Sequence, residues 1–451
     1  MHQRSSIAAV RSAEPRQPVR RNAVSKGQRR PDPSLFEYQA GGGLLHRRAF
    51  LTTVGAIVAG LPSGLRGEPV APARPDWMKS PGDPPSPYGA PSAREAAVKR
   101  SLFYEPASIA PGLGASMTPL HLTEGTITPN GLHFERHHSG VPHIDPDQHR
   151  LLLHGLVERP LIFDVASLRR YPMVSRICFI ECSGNSAMNT QPEPLELSCA
   201  ALHGLLSCSE WTGIALGTLL DEAGVHPNGR WLLAEGGDAA AMSRSVPIER
   251  ALSDGIVALY QNGEPLRPEQ GYPMRLLLPG LEGNINVKWL RRIEVTEGPM
   301  HTRDETSKYT ELLPDGRARQ FTLTMGVKSI ITRPSAGMTM QGPGFYEISG
   351  LAWSGAGRVA AVEVSADGGT SWGKAELQEP LLAQSLTRFR IPWHWDGSPT
   401  LLQSRAIDEM RERQPTRDAW LAANGPAAGY HYNGIQTWRV DANGAIKNVY
   451  G

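Results

Sequence analysis

Cys182 has the residue type and the position that most strongly indicate chemistry. It follows an apolar, β-branched run at 175–181, which predicts a buried strand, and it opens the turn Cys182-Ser183-Gly184-Asn185. Successive backbone N–H groups in such a turn can point at one atom and stabilise an anion. We therefore expect a thiolate that acts as a nucleophile or as a ligand to a soft metal, the alternative being a small buried hydrophobic residue.

The other three cysteines are Cys178, Cys199 and Cys208. Cys178 lies on the same face of the predicted strand as Cys182 and is expected in the core, whereas Cys199 and Cys208 are structural or form a disulfide. No Cys-x-x-Cys pair with a histidine cluster indicates zinc, and no Cys-x-x-Cys-His motif indicates a covalent haem on this chain. A cysteine hydrolase is a weaker alternative, because nothing in the spacing orients a histidine as its base.

Two further segments place polar donors close together. Phe134, Arg136 and His138 fall within residues 134–138, which are predicted to be a loop before a strand, where consecutive donors can hold an anion. Residues 280–292 form a Gly- and Asn-rich loop that contains Lys288 and leads into a predicted strand. This second pattern is typical of a phosphate cradle, although it is not a Walker motif. The alternatives are a solvated loop and a solvated hairpin.

The elements that must position these residues are predicted within a folded region at 117–308. Strands are expected at 151–157, 175–181, 274–278 and 290–295, and helices at 165–170 and 216–223, the second closed by Gly224. A polar joint at 310–318 follows. Beyond it, short strands are predicted at 321–325, 339–341, 346–353, 359–365, 388–393 and 401–407, with a tight turn at 367–369. This second region, 318–448, is predicted to be an immunoglobulin-like β-sandwich, so the fold class is α+β.

The length of 451 residues favours two domains and a tail, and the net charge of +2 without a basic block argues against nucleic acid as a partner. Residues 47–60 begin with Arg47-Arg48, continue into a short apolar run, and are typical of a twin-arginine export signal that is too short to span a bilayer. Residues 71–73 provide a cleavage site. We expect 1–73 to be a disordered N-terminus with this signal, 74–116 a Pro-rich arm or linker, and the protein periplasmic.

The chain resembles the sulfite oxidase family of molybdenum enzymes from about residue 120 onwards. The motifs that carry the resemblance are Thr-Pro-Asn…Phe-Glu-Arg-His-His at 128–138, Glu-Cys-Ser-Gly-Asn at 181–185, Gly-Tyr-Pro-Met-Arg at 271–275 and Val-Lys-Trp-Leu-Arg-Arg-Ile at 287–293. Two sandwich motifs, at 349–357 and 364–372, are similar to the family's dimerisation domain. Residues 204–213 and 429–438 most resemble the molybdenum subunit of sulfane dehydrogenases from periplasmic thiosulfate-oxidising (Sox) complexes.

The resemblance implies a molybdenum–molybdopterin cofactor whose metal is bound by Cys182. It also implies catalytic roles for Arg136, facing the open side of the metal, and for Tyr309, orienting substrate or relaying a proton. The residues that it implies for the cofactor are Phe134, His138, Cys182, Ser183, Asp238, Arg275, Asn286, Val287 and Lys288. The partners that it implies are a c-type cytochrome subunit, a sulfur-carrier protein of the Sox system, and a second copy bound through the sandwich.

Three departures from the family pattern bear on the substrate. Ser186-Ala187 stands where the family has Arg-Arg, Asn433 replaces an arginine of the final loop, and His137 replaces an asparagine. Free sulfite is bound best by a cluster of guanidinium groups, so a protein-carried sulfane sulfur in thiosulfate oxidation is the expected substrate. The alternatives are a periplasmic sulfite dehydrogenase acting on free sulfite and, in a different class, a cofactor-free binding module.

Overall fold

The computed structural model describes residues 38–46, 74–104, 106 and 108–451. The α-helices in this part are Val165–Leu168, Cys199–His203, Leu216–Ala223, Ile248–Asp254, Arg303–Thr306 and Arg417–Asn424. The strands, numbered along the chain, are β1 (Tyr38–Ala40), β2 (Leu44–Leu45), β3 (Ser101–Tyr104), β4 (Gly114–Met117), β5 (Glu135–His137), β6 (Leu151–Gly155), β7 (Leu161–Phe163), β8 (Met173–Glu181), β9 (Leu206–Ala215), β10 (Trp231–Gly236), β11 (Ser243–Pro247), β12 (Ile256–Gln261), β13 (Glu264–Pro265), β14 (Arg275–Leu277), β15 (Leu290–Thr296), β16 (Glu311–Leu312), β17 (Ala318–Arg319), β18 (Lys328–Arg333), β19 (Gly344–Trp353), β20 (Val359–Ser365), β21 (Gly373–Lys374), β22 (Glu376–Leu377), β23 (Thr387–Trp395), β24 (Thr400–Asp408), β25 (Thr437–Val440) and β26 (Ile446–Val449). None of the described helices has the length and apolar character needed to cross a membrane.

The first region contains two five-stranded sheets with short helices between and beside them. One sheet has the order β11-β10-β15-β6-β7, in which β15 and β6 are parallel. The other has the order β13-β12-β9-β8, with β14 also paired to β12. Their apolar faces share one core, which includes Leu153, Leu220, Leu276 and Ile293. Because β8 and β14 belong to the same sheet, Cys182 at the end of β8 and Arg275 on β14 are brought to one side of the domain.

The helix Leu216–Ala223 shows how local sequence ends an element in this region. Leu216, Leu219, Leu220 and Ala223 are fully buried, which is the spacing of one helical face. Gly224 then takes a φ of 71°, in the left-handed region that favours glycine, and its N–H bonds the carbonyls of the last turn. The helix predicted at 216–223 is therefore present with the predicted end.

The second region is a sandwich of two antiparallel sheets. One has the order β1-β2-β23-β19-β18 with β22 beside β23, and the other has the order β21-β20-β24-β25-β26. The core between them contains Trp353, Phe389, Leu402 and Trp438. The strands predicted at 346–353, 359–365, 388–393 and 401–407 are present as parts of β19, β20, β23 and β24. The strands predicted at 321–325 and 339–341 are wrong, because each segment contributes only an isolated bridge.

Residues 38–46 depart from the disorder expected for 1–73. Leu44 and Leu45 are fully buried, and Leu44 pairs with Trp393 of β23. Leu44 belongs to the apolar core of the sandwich, which accounts for an ordered segment here. The export signal at 47–60 and the cleavage site at 71–73 lie outside the described residues.

The segment 74–116 is only partly the arm that its Pro content predicts. Its first part is exposed and has two short 3-10 turns, Asp76–Met78 and Ala93–Glu95. Its last part supplies β3 and β4, which form an antiparallel three-stranded sheet with β5. The end of the arm therefore supports the strand that carries Arg136.

Candidate active site

Cys182 and most of the other predicted site residues line one pocket. Its walls come from the segment 133–138, the end of β8, β14 and the loop that precedes β15. The lining residues are His133, Phe134, Arg136, His137, His138, Ile180, Cys182, Asp238, Met242, Gln270, Arg275, Gly283, Asn284, Asn286, Val287, Lys288, Trp289 and Tyr309.

Cys182 is held by backbone contacts on both sides of its turn. Its N–H donates to the carbonyl of Leu205 at 3.0 Å, and its carbonyl accepts from the N–H of Asn185 at 2.8 Å. Burial raises the pKa of the Cys182 thiol, although the Gly184 N–H and the charge of Arg136 act in the opposite direction. Without a bound cation, burial therefore favours the thiol over the predicted thiolate, and a bound metal would displace its proton.

Arg136 and its neighbours form a strand rather than the predicted loop. Arg136 is the middle residue of β5, and its Nη1 donates to the carbonyl of His137 and more weakly to that of Gly114, at 3.5 Å. Burial lowers the pKa of His138 to about 3, with help from the charge of Arg136. His138 is therefore neutral at pH 7, and its Nε2 is 3.1 Å from the Tyr309 hydroxyl.

A second wall of the pocket carries buried cations. Lys288 Nζ lies 2.9 Å from His137 Nδ1 and donates to the carbonyls of Arg136 and Glu269, both at 3.1 Å. Burial and the charge of Arg275 lower the pKa of Lys288 to about 7. Burial likewise lowers the pKa of Arg275 to about 9. Two buried basic side chains therefore share this wall, and because burial disfavours their charged forms, a bound anion would stabilise them.

Tyr309 closes the pocket from the segment between the two regions. It has a φ of 52°, in the left-handed region, and the guanidinium of Arg244 lies 4.6 Å from its ring centre. Burial raises the pKa of the Tyr309 hydroxyl well above its usual range, so that it stays protonated. Tyr309 can therefore donate a hydrogen bond to a reactant or to His138.

Ser183 is the one predicted site residue that does not line the pocket. It is buried, its Oγ accepts from Asn284 Nδ2 at 3.1 Å, and its carbonyl accepts from the His431 N–H at 2.7 Å. It therefore supports the turn from behind. The pocket residues that sequence reasoning missed are His133, Ile180, Met242, Gln270, Gly283, Asn284 and Trp289. Most of them are neighbours in sequence of predicted residues, which is the signal that could have found them.

The pocket fits a metal that brings its own organic ligands. Within the described residues, no group of three or more His, Cys, Asp or Glu side chains can hold a metal ion. Cys182 is a soft ligand, but one thiolate cannot complete a coordination sphere. Arg275 Nε and His133 Nε2 are buried in the pocket wall without a hydrogen-bond partner, and such groups are costly unless a ligand satisfies them. A pterin dithiolene with a phosphate supplies both the missing sulfur ligands and an acceptor for the Arg275 Nε–H.

The cysteines other than Cys182 are structural. Cys178, Cys199 and Cys208 are buried thiols, so the disulfide considered for the last two does not form. Cys178 packs in the same cluster as Cys182, as expected for one face of a strand. His203 bonds Ser186 Oγ through Nδ1 at 2.7 Å and Gln436 Oε1 through Nε2 at 3.1 Å, so neither nitrogen serves Cys182 as a base.

Comparisons with known proteins agree with this geometry. The family model described as oxidoreductase molybdopterin binding domain matches residues 138–303, and that of the Mo-co oxidoreductase dimerisation domain matches residues 319–437. Mitochondrial sulfite oxidase of Rattus norvegicus is 32% identical over 67% of this chain and 59% of its own. The crystal structure of the sulfane dehydrogenase SoxCD from Paracoccus pantotrophus is 45% identical, with a TM-score of 0.81, over 84% of this chain and 98% of that one. The chain belongs to the sulfite oxidase family.

As a member of the sulfite oxidase family, the protein is a molybdopterin-dependent oxidoreductase. The resemblance read from its motifs is thereby confirmed. Family membership does not fix the substrate, because the nitrate reductase [NAD(P)H] of Hordeum vulgare is also 30% identical over 67% of this chain and 38% of its own. The chain spans about three fifths of the rat sulfite oxidase and a smaller share of the barley enzyme.

Proposed function

We propose that the protein is the molybdenum subunit of a periplasmic sulfane dehydrogenase, which oxidises a sulfane sulfur carried on a partner protein during thiosulfate oxidation. The observation that carries this proposal is the likeness to SoxCD over nearly the whole length of that chain. Bound at Cys182, the molybdenum cofactor supplies two-electron oxidation of sulfur. Each oxygen atom that the sulfur gains comes from water, with release of two protons and two electrons.

The chain's own residues have separate tasks in this proposal. Cys182 binds the metal, while Lys288 and Arg275 neutralise the phosphate of the pterin. The other cofactor residues, Phe134, His138, Asp238, Asn286 and Val287, line the same pocket, and Ser183 supports the turn beside them. Arg136 places a fixed positive charge where negative charge develops on the substrate.

The preference for a carried sulfane sulfur is supported by the small number of cations in the pocket. Ser186 and Asn433, which stand where the family has arginines, are not among the lining residues. Asn433 Nδ2 instead donates to the carbonyl of Val327 at 3.0 Å. Arg136 and Arg275 are the guanidinium groups of the described lining, and a free sulfite dianion is bound best by a larger cluster.

The electrons pass to a c-type cytochrome subunit, because the sequence contains no Cys-x-x-Cys-His motif for a haem of its own. Export through the twin-arginine signal at 47–60 would bring this chain to the periplasm. The match of residues 319–437 to a dimerisation domain supports a dimer formed through the sandwich.

The substrate is tested by steady-state turnover of the purified holoprotein with a c-type cytochrome as oxidant. We expect kcat/KM for a sulfane sulfur on the cysteine of a carrier protein to exceed that for free sulfite by about 100-fold or more, a discrimination that a few specific contacts can supply. The matched control is the same carrier with its cysteine alkylated. Equal efficiency with micromolar sulfite and no carrier would instead make the protein a sulfite dehydrogenase, which the likeness to rat sulfite oxidase favours.

Replacing Tyr309 by Phe tests the role of its hydroxyl, which lies 3.1 Å from His138 Nε2. Loss of one orienting hydrogen bond lowers turnover by about 3- to 10-fold, whereas loss of a proton relay lowers it by about 100-fold or more and changes the pH profile. The control is Tyr430→Phe, because the Tyr430 ring packs 5.2 Å from that of Tyr309 but does not line the pocket. Unchanged kcat and KM in Tyr309→Phe would remove Tyr309 from the mechanism.

A further inference from the structure

Glu181, the residue before Cys182, forms an ion pair with the sandwich. Its Oε1 lies 3.0 Å from Nζ of Lys328, and neither side chain is more than 2% exposed. Glu181 ends β8 of the first region, whereas Lys328 begins β18 of the second. The pair therefore crosses from one domain to the other directly behind the proposed metal ligand.

The same two side chains also hold the ends of the cysteine turn. Glu181 Oε1 accepts from Asn185 Nδ2 at 2.9 Å, and Glu181 Oε2 accepts from Nε1 of Trp353 at 2.7 Å. Lys328 Nζ donates to Ser186 Oγ at 2.7 Å. The turn at 182–185 is thus fixed on both sides by groups that connect to the first sheet of the sandwich.

A second connection reaches the other sheet of the sandwich. Ser186 Oγ is 2.7 Å from His203 Nδ1, and His203 Nε2 is 3.1 Å from Oε1 of Gln436, directly before β25. The same Gln436 oxygen accepts from Asn189 Nδ2 at 2.8 Å. The polar network therefore connects the segment 181–189 to both sheets of the second domain.

None of Glu181, Asn185, Ser186, Lys328 and Trp353 lines the pocket, so the network acts on the site indirectly, through neighbours such as Cys182. A buried ion pair generally stabilises a fold no better than a well-packed apolar pair, so simple stability is a weak reason for placing one here. Groups that orient a metal ligand from behind, by contrast, strongly affect the metal that it binds.

We propose that Glu181 and Lys328 are positioning residues, which fix the direction in which the Cys182 sulfur enters the pocket. The proposal rests on the proposed role of Cys182 as the metal ligand. It gives the sandwich a task in addition to the proposed dimerisation, because Lys328 and Trp353 of the second domain contact the residues on either side of the cysteine turn.

The double variant Glu181→Gln/Lys328→Met tests this, because it removes both charges together and leaves no buried charge unpaired. We expect it to fold, to retain molybdenum, and to show kcat lower by about 10- to 100-fold with KM little changed, the usual effect of losing a group that supports a ligand. The sulfur-to-metal charge-transfer absorption of the holoprotein should shift. The full chain prepared without cofactor gives a second measurement, the rate of alkylation at Cys182 followed by peptide mass spectrometry. This rate should become several-fold faster in the double variant, because the turn no longer holds the sulfur in one direction.

A matched pair of tryptophan variants keeps the test decisive if the double variant does not fold. Trp353→Phe removes the indole donor to Glu181, whereas Trp395→Phe removes an equally buried indole donor that bonds the Ser398 carbonyl at 2.8 Å, away from the turn. The proposal predicts a spectral shift in Trp353→Phe only. Lys328→Arg keeps the positive charge. This single variant should therefore retain most of the wild-type charge-transfer absorption.

Two results would overturn the proposal. The first is a charge-transfer band and a Cys182 alkylation rate that stay at wild-type values in the double variant while its melting temperature falls. The second is the same spectral shift in both tryptophan variants. Wild-type protein without molybdenum would instead refute the proposed function, and the alkylation rates of the cofactor-free chain would still test the positioning role.

Discussion

Replacing Cys182 by Ser is expected to abolish turnover while the protein stays folded and still binds the pterin. A serine hydroxyl is a hard and weakly acidic group, so it replaces a soft thiolate ligand poorly. If the metal no longer stabilises the transition state by several kcal/mol, kcat decreases by about 10³-fold or more. Molybdenum analysis of the purified variant, fluorescence of the released pterin and steady-state assays measure the three quantities separately.

The matched control is Cys208→Ser. Cys208 is also a buried thiol, but it lies on β9, outside the pocket, with its sulfur 3.4 Å from Ser385 Oγ. This variant should lose some stability and keep its molybdenum and turnover. If Cys182→Ser retained wild-type molybdenum and activity, or if both variants lost them equally, Cys182 would not be the metal ligand.

Cys182 also shows how far the sequence alone can identify the site. The strand and the turn that follows it are both visible in the pattern, and the structure has them where they were predicted. The state of the sulfur was not predictable, because it depends on two opposing effects. The turn offers the Gly184 N–H, which stabilises an anion, but burial raises the pKa of the thiol more strongly. The burial of Cys182 between the two domains depends on how the whole chain packs, so it could not be predicted from the local sequence.

The assembly of the pocket could not be derived from spacing. Arg136, Cys182 and Tyr309 belong to three segments that are far apart in sequence, and only tertiary packing brings them to one cavity. The resemblance to the sulfite oxidase family supplied that grouping. Local pattern did predict the Gly- and Asn-rich loop, where the Asn286 side chain accepts from the Leu278 N–H at 2.7 Å.

The strand wrongly predicted at 321–325 has a clear physical reason. Phe321 and Leu323 alternate with polar residues as in a strand, but both have φ near 55°, in the left-handed region. Two such residues cannot continue a ladder. Their side chains instead anchor an irregular segment, with the Phe321 ring 5.3 Å from that of Trp231 in the first region. The alternation of apolar and polar residues indicates which side chains are buried. In this segment the backbone buries the apolar side chains without pairing with a neighbouring strand.

The second large effect is expected for stability, when Arg244 is replaced by Met. Arg244 is 1% exposed and lies between two carboxylates, with Nη2 2.9 Å from Glu282 Oε1 and Nε 3.6 Å from Glu305 Oε1. Methionine fills a similar volume but leaves both acids buried without the guanidinium, and Glu282 keeps only His431 as a basic partner. Breaking a buried pair in this way costs about 3–5 kcal/mol, which denaturant unfolding of the holoprotein can measure.

The matched control for this variant is Arg291→Met on β15. Arg291 also binds a carboxylate, Glu235, at 2.6 Å, but its side chain is 54% exposed. Exposed pairs contribute about 0–1 kcal/mol, so this variant should unfold almost as the wild type does. If both variants lost the same free energy of unfolding, the burial of Arg244 with Glu282 and Glu305 would not be the reason for their contribution to stability.

The pH dependence of the Arg244→Met defect follows from Glu282. Burial alone would raise the pKa of Glu282, but the hydrogen bond from His431 and the charge of Arg244 lower it to about 2. Because the folded pKa lies below the unfolded value of about 4.3, the wild-type contribution is complete above that pH and is lost as the pH falls towards 2. In the variant Glu282 has a higher pKa and takes up its proton earlier. The difference in unfolding free energy should therefore be largest near neutral pH and shrink as the pH falls through the raised pKa of Glu282 in the variant. A difference that grows in acid would exclude Glu282 as the origin of the defect.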